Sequence, residues 1–287
     1  MHTVGVIGGS GLYDLAGLQQ VERIVLTTPF GDPSDEFVCG TLAGSRLIFL
    51  PRHGRGHRIL PSEVNFRANM YGMKQLGAEW VIGVASVGSL REEIVPGHLV
   101  VPDQLIDRTY RRPSTFFGNG LVAHVGFADP FCPLLGQALV EAAQGIGAIV
   151  HPKGTYVCME GPQFSTRAES NLYRQWGADV IGMTNLQEAK LAREAEICFA
   201  TLALATDYDC WHETEADVVI GDILRILNEN VATAQRVIAG AVPRLRTPRT
   251  CACANALEHA IITERSRIPA AVRRDLEIIV GKYLREG

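Results

Sequence analysis

The sequence predicts an α/β fold in a single domain. Short apolar segments with the length of buried strands recur along the chain and end in small or polar residues. Between them lie segments with apolar residues at helical spacing, such as residues 133–148. The 287 residues contain neither an internal repeat nor a low-complexity linker, and they suffice for a sizeable core. We therefore expect residues 1–287 to form one domain.

Composition narrows the class of protein. Hydrophobic residues make up 47% and charged residues 20%, which is typical of a soluble globular protein. The formal charge of −4 gives no electrostatic reason to expect a nucleic acid or an anionic membrane as partner. The first residues lack a signal-like pattern, and no uncharged apolar run has membrane-spanning length. We expect a cytoplasmic protein.

The N-terminal segments predict strands that end in candidate anion loops. Residues 3–7 lead into Gly8-Gly9-Ser10-Gly11, which is either a tight turn or an anion site with Ser10 as a donor. A dinucleotide fingerprint would need a third glycine and a following helix, and both are missing. Strands 37–42 and 46–51 predict a hairpin. The basic loop that follows, with Arg52 and His53, suits a phosphate or is simply solvated.

The middle of the chain alternates helices and strands. We predict a helix over 62–74 with Ser62 as its N-cap and Gly77 as its end. The remaining predictions are strand 80–85 with a small-residue turn at 86–90, strand 96–102, an irregular functional or interface loop at 113–129, helix 133–148 and strand 151–159. Two small-residue turns and the basic loop would form one cradle, because ligands gather beyond the strand ends of α/β sheets.

The last third adds a turn, a strand and several helices. Glu160 at a strand end and Phe164 in the Gly-Pro turn could meet a polar ring and a flat aromatic group, and Ser165 or Thr166 forms a capping signal with Glu169. Further predictions are strand 180–185, helix 188–194, a long amphipathic helix 217–241, and terminal helices at 257–262 and 269–284.

Residues 197–205 form an apolar run that predicts a doubly buried strand, and acidic residues follow it. Asp207 and Asp209 are two positions apart, so in an extended segment they point to the same side. Repulsion and desolvation would raise the pKa of at least one carboxyl, which suits a general acid near pH 7. A solvated turn after a core strand is the other interpretation.

The chain has seven cysteines. Most are scattered and look like small core residues of a reducing compartment. Cys251-Ala252-Cys253 lacks the C-x-x-C spacing of common zinc or thioredoxin motifs, so an unused exposed pair and a functional pair both stay open.

Taken together, these segments resemble the nucleoside phosphorylases of the trimeric type, and within them the members that act on S-methyl-5'-thioadenosine. The similarity includes Thr28-Pro29-Phe30-Gly31, Met159-Glu160-Gly161-Pro162 and Ala205-Thr206-Asp207-Tyr208-Asp209, and it extends in order from residue 4 to about 240. The other similar segments are residues 6–12, 52–54, 88–93, 107–109, 129–133 and 167–170.

The resemblance implies a phosphorylase/hydrolase-like fold with a mixed central sheet flanked by helices, and residues from about 245 to 287 as a helical extension. It implies a homotrimer, or a dimer of trimers, with sites at subunit interfaces. The implied reaction is reversible phosphorolysis of S-methyl-5'-thioadenosine to adenine and 5-methylthioribose 1-phosphate, in purine and methionine salvage. Phosphate is a co-substrate, and neither cofactor nor metal is expected because the nucleophile is already present.

The resemblance also implies roles for individual residues. Asp207 would protonate or hydrogen-bond N7 of the leaving purine. Phosphate would be held by Ser10, Arg52, His53 and Thr184, with Ser86 in place of a threonine that the family usually carries nearby. The nucleoside would be bound by Phe164, Ser165, Met183, Asp207, Asp209, Ile220 and Ile223, with His124 reaching the methylthio group from a neighbouring subunit. The Cys-Ala-Cys segment resembles a pair in members from hot environments in which disulfides are reported, which suggests a redox or stabilising role.

Three alternatives stay open. A phosphorylase for methylthioinosine or other 6-oxopurine nucleosides fits Asp207 and the apolar pair Ile220 and Ile223 less well. A hydrolytic nucleosidase would not depend on phosphate. A non-catalytic nucleotide-binding module would use the first glycine loop, whose fingerprint is incomplete.

Overall fold

A computed structural model describes residues 2–9, 11–12, 15–212 and 220–284, with the side chains of 220–229 outside the description. The strands are β1 (Thr3–Gly8), β2 (Gln19–Ile24), β3 (Phe37–Leu42), β4 (Ser45–Pro51), β5 (Trp80–Ser89), β6 (Leu99–Val100), β7 (Gln104–Arg108), β8 (Val150–His151), β9 (Thr155–Met159), β10 (Val180–Gly182) and β11 (Cys198–Asp207). The helices are α1 (Phe66–Gln75), α2 (Pro133–Gly145), α3 (Arg167–Gln175), α4 (Asn185–Glu194), α5 (Ile220–Ala241), α6 (Ala270–Asp275) and α7 (Glu277–Leu284).

The strands form one mixed sheet that branches at β5. Its main path runs β2-β3-β4-β1-β5-β10-β9-β7, while β11 pairs with β5 and β6, and β6 pairs with β8. The first half of β5 lies between β1 and β11, parallel to both. Near its end, β10 pairs with it antiparallel at Gly88 and Ser89. This architecture confirms the predicted α/β fold with a mixed central sheet flanked by helices.

Most predicted strands are present, with changed bounds. The 37–51 hairpin is confirmed as β3 and β4. The predicted turn at 86–90 is wrong, because Val87 pairs with Ala205 and Ser89 pairs with Val180, so β5 continues to Ser89. The predicted strand 151–159 is divided into β8 and β9, and 96–102 contains only the two-residue β6.

One helix prediction is wrong at its start, and another is wrong throughout. Helix α1 begins at Phe66 and not near Ser62, because the side chain of Asn65 accepts a hydrogen bond from the N–H of Ala68 and caps the helix. Residues 257–262 are not helical. Their backbone bonds to other segments instead: Leu257 N–H donates to the Glu196 carboxylate at 3.1 Å, and Ile262 N–H donates to Val122 O at 2.9 Å.

The other predicted helices are present with changed bounds: 133–148 ends at Gly145, and 269–284 is divided into α6 and α7. The capping box of α3 forms between Thr166 and Glu169, which leaves Ser165 outside the cap. Helix α4 begins at Asn185, three residues before the predicted 188. Helix α5 covers 220–241 of the predicted 217–241, and residues 217–219 lie outside the described residues. In the described part of the chain, every helix is too short or too polar to cross a membrane.

Apolar side chains on the two faces of the sheet form two large core clusters. One joins the sheet to α2 and the C-terminal half of α5, including Leu135 and Ile238. The other contains residues of α1, α4 and α7 and also Leu257 and Ile268 from the C-terminal segment. The extension after residue 245 thus packs on the same sheet as the rest of the chain. That is the packing a single domain requires, and the single domain itself stays a prediction.

Glu194 anchors the irregular loop at 113–129. Its carboxylate accepts hydrogen bonds from Thr115 Oγ1 and from the N–H of Phe116, both at 2.7 Å. Burial raises the pKa of Glu194 to about 7, and these two bonds oppose the shift. Unfolded Glu194 ionises near its ordinary pKa of 4.5, whereas the folded state keeps the proton until about 7.

The stability that Glu194 contributes is therefore fully present below 4.5 and is lost as the pH rises to about 7. We expect a loss of roughly 2–3 kcal/mol from this group over that range. Urea unfolding at several pH values should show a flatter pH profile for Glu194→Gln than for the wild type. Glu264→Gln, at an exposed position, should keep the wild-type profile. Parallel profiles for the wild type and Glu194→Gln would contradict this assignment.

Candidate active site

Arg52 is the buried centre of the predicted anion site. It follows β4, and its N–H donates to Gly8 O at the end of β1. The guanidinium donates from Nε and Nη2 to the two carboxylate oxygens of Glu188 at 2.5 and 3.0 Å. Nη1 donates to Val84 O at 2.8 Å and Nη2 to Ile7 O at 3.1 Å. Four of the five N–H groups thus have partners among the described residues, and one on Nη1 remains for an anion.

This buried ion pair joins β1, β4, β5 and α4 at one point. The side chains of Arg52 and Glu188 are 4% and 2% exposed. Burial disfavours the cation, but the Glu188 carboxylate outweighs this effect and raises the pKa of Arg52. Glu188 was missed in the sequence because an acidic residue in the first turn of a helix is ordinarily a surface feature.

His53 is half-buried beside Arg52 and its ring stacks on His57, with centroids 4.4 Å apart. Its Nδ1 lies 2.8 Å from Ile59 O, so Nδ1 carries the proton and Nε2 is the free nitrogen. Burial and the neighbouring Arg52 charge lower the pKa of His53 to about 4. At neutral pH the ring is therefore uncharged, and Nε2 can accept a hydrogen bond, for example from a phosphate hydroxyl.

Two of the other three predicted phosphate-binding residues lie on elements that contact Arg52: Thr184 at the start of α4 and Ser86 on β5. Thr184 is buried at the N-cap of α4, and its side chain makes no capping bond. Ser86 lies on β5, two residues after the carbonyl that Arg52 contacts, and pairs with Leu204 of β11. Ser10 lies outside the described residues. The N-terminal turn of α4 offers backbone N–H groups to an anion in addition to these side chains.

Asp207 ends β11 and Asp209 lies in the turn that follows. The N–H of Asp209 donates to Asp207 Oδ1 at 2.8 Å, and Thr206 Oγ1 donates to Asp207 Oδ2 at 2.7 Å. The two carboxyls therefore come together through a turn, with Asp209 at φ 52°, and not through the strand alternation that the sequence suggested. Burial raises the pKa of Asp207, and the bonds from Thr206 and Asp209 oppose this shift in part.

Asp209 is more deeply buried and has an open acceptor. Burial raises the pKa of Asp209, and the nearby hydroxyls of Ser170 and Ser165 oppose this shift, although neither reaches hydrogen-bonding geometry with Oδ2. Neither Asp209 Oδ2 nor Ser170 Oγ has a hydrogen-bond partner among the described residues. A buried carboxylate oxygen without a donor is costly, and a ligand amino group would satisfy it.

Gly88 of β5 lies against both carboxyl residues. A Cβ added there would lie 3.0 Å from Asp207 Oδ1 and 3.2 Å from Asp209 Cβ. We expect Gly88→Ala to displace these residues by a few tenths of an ångström and to lower kcat about tenfold, because catalytic geometry tolerates little misplacement. Steady-state kinetics of the proposed reaction would show it. Gly126→Ala, with nothing within 4 Å of its added Cβ, is the matched control and should keep the wild-type kcat. An unchanged kcat in Gly88→Ala would contradict the close contact.

The predicted base-binding residues surround one turn. Gly161, at φ 68°, leaves room for Met183, whose Sδ would lie 2.5 Å from an added Cβ. Phe164 is 50% exposed at the same turn. Ser165 O accepts a hydrogen bond from Cys210 Sγ at 3.3 Å, so this turn lies against the segment that follows Asp209. The structure thus brings Phe164, Ser165 and Met183 to the side of the site where the two carboxyl groups lie.

Glu160 has a different role from the one the sequence suggested. Its Oε1 accepts from Arg112 Nε at 3.2 Å and its Oε2 from Tyr110 N–H at 2.8 Å, so the carboxylate is not open to a purine ring. Arg112 also donates to Met183 O and to the Gln187 side chain. Arg112 was missed because it lies in a loop without periodicity. Its network ties the carbonyl of Met183 to Glu160 at the end of β9.

Three predicted residues are not joined to this site by the described contacts. Ile220 and Ile223 lie at the start of α5, where side chains are outside the description. His124 is exposed in the 113–129 loop, and its N–H donates to Ala260 O at 2.9 Å. Two surface cavities of about 260 and 300 Å³ contain none of the predicted site residues.

On one branched mixed sheet, the structure thus carries a buried guanidinium paired with Glu188 of α4 and, at the end of β11, two carboxyl groups of raised pKa. The chain belongs to the phosphorylase superfamily, whose family model matches residues 3–243. It is 62% identical to an S-methyl-5'-thioadenosine phosphorylase of Geobacter sulfurreducens, covering 99% of each chain. A relative of the same name from Koribacter versatilis is 56% identical, over 99% of this chain and 97% of the relative.

Solved structures give the same family. A methylthioadenosine phosphorylase from an antarctic soil metagenomic library superposes with a TM-score of 0.93 at 47% identity, covering 97% of this chain and 98% of that one. A Schistosoma mansoni methylthioadenosine phosphorylase in complex with adenine superposes with a TM-score of 0.81 at 38% identity, covering 85% and 91%. The resemblance inferred from the sequence is confirmed.

Proposed function

We propose that the chain catalyses the reversible phosphorolysis of S-methyl-5'-thioadenosine, which yields adenine and 5-methylthioribose 1-phosphate. The observation that carries this proposal is the arrangement along β5. Arg52 contacts Val84, Ser86 follows, and Asp207 with Asp209 lies over Gly88. Ser86 is two residues from Gly88, about 6–7 Å along the strand, which is roughly the width of a ribose. Val84, which Arg52 contacts, is four residues from Gly88, about 13 Å, so the guanidinium lies further from the acid than Ser86 does.

The chemistry follows from these positions. Arg52, His53, Ser86 and Thr184, with Ser10, would hold phosphate against the anomeric carbon. The C–N bond breaks as the phosphate oxygen bonds to that carbon, and the purine must gain a proton or a strong hydrogen bond at N7. Asp207 would supply it, and the burial that raises the pKa of its carboxyl group favours the protonated form that this step requires. We propose that the reaction needs neither metal nor cofactor, since phosphate itself is the nucleophile.

Recognition of the base rests on the second carboxylate. The open Oδ2 of Asp209 would accept a hydrogen bond from the exocyclic amino group of adenine, which a 6-oxopurine lacks. Phe164 and Met183 would contact the base and ribose, with Ser165 at the purine edge. Ile220 and Ile223 would contact the methylthio group, together with His124 from a neighbouring copy.

We propose a homotrimer, or a dimer of trimers, in which neighbouring copies complete each site; the exposed side chains of Phe164 and His124 are open to such contacts. Light scattering on the purified protein would give the mass of the assembly.

We further propose a cytoplasmic location, a role in purine and methionine salvage, and no nucleic-acid or membrane partner.

A substrate comparison tests the proposal. Four nucleosides would be compared at saturating phosphate: S-methyl-5'-thioadenosine, adenosine, inosine and S-methyl-5'-thioinosine. We expect kcat/KM to be highest for S-methyl-5'-thioadenosine. Leaving Asp209 Oδ2 without a donor should cost about 1–3 kcal/mol, which is roughly 5- to 150-fold in kcat/KM against the 6-oxopurines. A preference for inosine or methylthioinosine would overturn the adenine assignment.

A further inference from the structure

Four cysteines from three distant parts of the chain meet at one point. Cys132 immediately precedes α2, Cys198 begins β11, and Cys251 and Cys253 lie in the C-terminal extension. All four sulfurs lie within 4.8 Å of one another. Cys251 Sγ is 3.3 Å from Cys198 Sγ and 3.7 Å from Cys132 Sγ. The interpretation of Cys251 and Cys253 as an exposed pair is therefore wrong, since Cys253 is 5% exposed and the cluster lies in the interior.

These distances have the scale of a tetrahedral metal site. Zinc binds thiolates at about 2.3 Å, which places the sulfurs of a site with four cysteine ligands about 3.8 Å apart. Disulfide sulfurs lie at about 2.05 Å, and all four cysteines of the cluster are free thiols. Three of the four are buried and Cys251 is half-buried, so the position is closed in the way of structural rather than catalytic zinc sites.

The surroundings supply the charge and the rigidity that such a site needs. Four thiolates on Zn²⁺ leave a charge of −2, and Arg249 Nη1 lies 3.7 Å from Cys198 Sγ. The same nitrogen donates to the carbonyls of Glu79 and Glu196, which hold it in place. The N–H of Cys132 donates to Phe199 O at 2.7 Å and fixes the start of α2 against β11. Such outer partners orient thiolate ligands and stabilise their charge.

We propose that Cys132, Cys198, Cys251 and Cys253 form a structural zinc site that fastens the C-terminal extension to the sheet. Binding converts four thiols and Zn²⁺ into a tetrathiolate complex and releases four protons to solvent, with no change in oxidation state. The site is separate from the proposed catalysis, and the protein's metal content does not depend on that function.

Metal analysis and native mass spectrometry of the full-length protein test the proposal. The protein would be produced with zinc in the medium and purified under reducing conditions without chelator. We expect about one zinc per chain in the wild type. The stoichiometry should fall close to zero in Cys253→Ser and stay at one in Cys39→Ala, since Cys39 is a buried cysteine outside the cluster.

A second measurement keeps the proposal testable if Cys253→Ser does not fold. Wild-type protein stripped of metal should show the visible bands of tetrahedral cobalt–thiolate when Co²⁺ is added, and Zn²⁺ should abolish them and raise Tm. Three results would overturn the proposal: zinc-free protein with four free thiols in the cluster, a mass lower by two hydrogens for each disulfide, or zinc that persists in Cys253→Ser.

Discussion

Asp207→Asn is expected to lower kcat for adenine release from S-methyl-5'-thioadenosine by about 10²–10⁴-fold, the range for loss of a general acid. The substitution keeps the size of the side chain and removes the ionisable proton. Asn can still donate a hydrogen bond from its amide, so KM should change less than kcat. Stopped or continuous adenine assays at saturating phosphate would measure both constants.

The pH profile distinguishes two roles for Asp207: a general acid, and a residue that only selects the nucleobase. Since burial raises the pKa of Asp207, wild-type kcat should fall as the pH rises past that pKa, because the carboxyl group then loses the proton it delivers. The variant should lack this decline. Asp32→Asn, at an exposed position between β2 and β3, is the control and should keep the wild-type profile. If Asp207→Asn instead gained activity on S-methyl-5'-thioinosine and its kcat still fell at high pH, Asp207 would chiefly select the nucleobase.

Glu188→Ala should destabilise the fold by about 3–5 kcal/mol, because it leaves the buried Arg52 guanidinium without its counter-charge. The expected readout is a lower urea midpoint with an unchanged slope. The cost is high at this position because the ion pair joins three strands and α4. A loss of phosphate affinity should accompany it, since the free guanidinium can move from the site.

A matched exposed pair provides the control. Glu264 lies 3.7 Å from Arg267, with side chains 76% and 80% exposed. Glu264→Ala should change stability by no more than about 1 kcal/mol. Similar midpoints for Glu188→Ala and Glu264→Ala would show that the Arg52–Glu188 pair does not hold the sheet and α4 together.

The sequence predicted the elements whose signals are local. The buried strand before Asp207 and the hairpin 37–51 follow from apolar runs and turn residues, and Thr166 with Glu169 is a local capping signal. Asp207 was identified because it ends such a strand.

Features that depend on distant partners were not predictable in this way. Ser86, Val87 and Gly88 look like a turn, and only pairing with β10 and β11 makes them strand. Glu188 is paired with a residue 136 positions away, so no local pattern identifies it. No local pattern identifies the cluster of four cysteines either, because they come together only when the C-terminal segment packs on β11.

Adenine release from S-methyl-5'-thioadenosine with and without inorganic phosphate tests the central claim most directly. We expect no release without phosphate, and with phosphate one 5-methylthioribose 1-phosphate for each adenine, detected by phosphorus NMR. Equal release in the absence of phosphate, with free methylthioribose as product, would contradict phosphorolysis and indicate a hydrolase on the same fold.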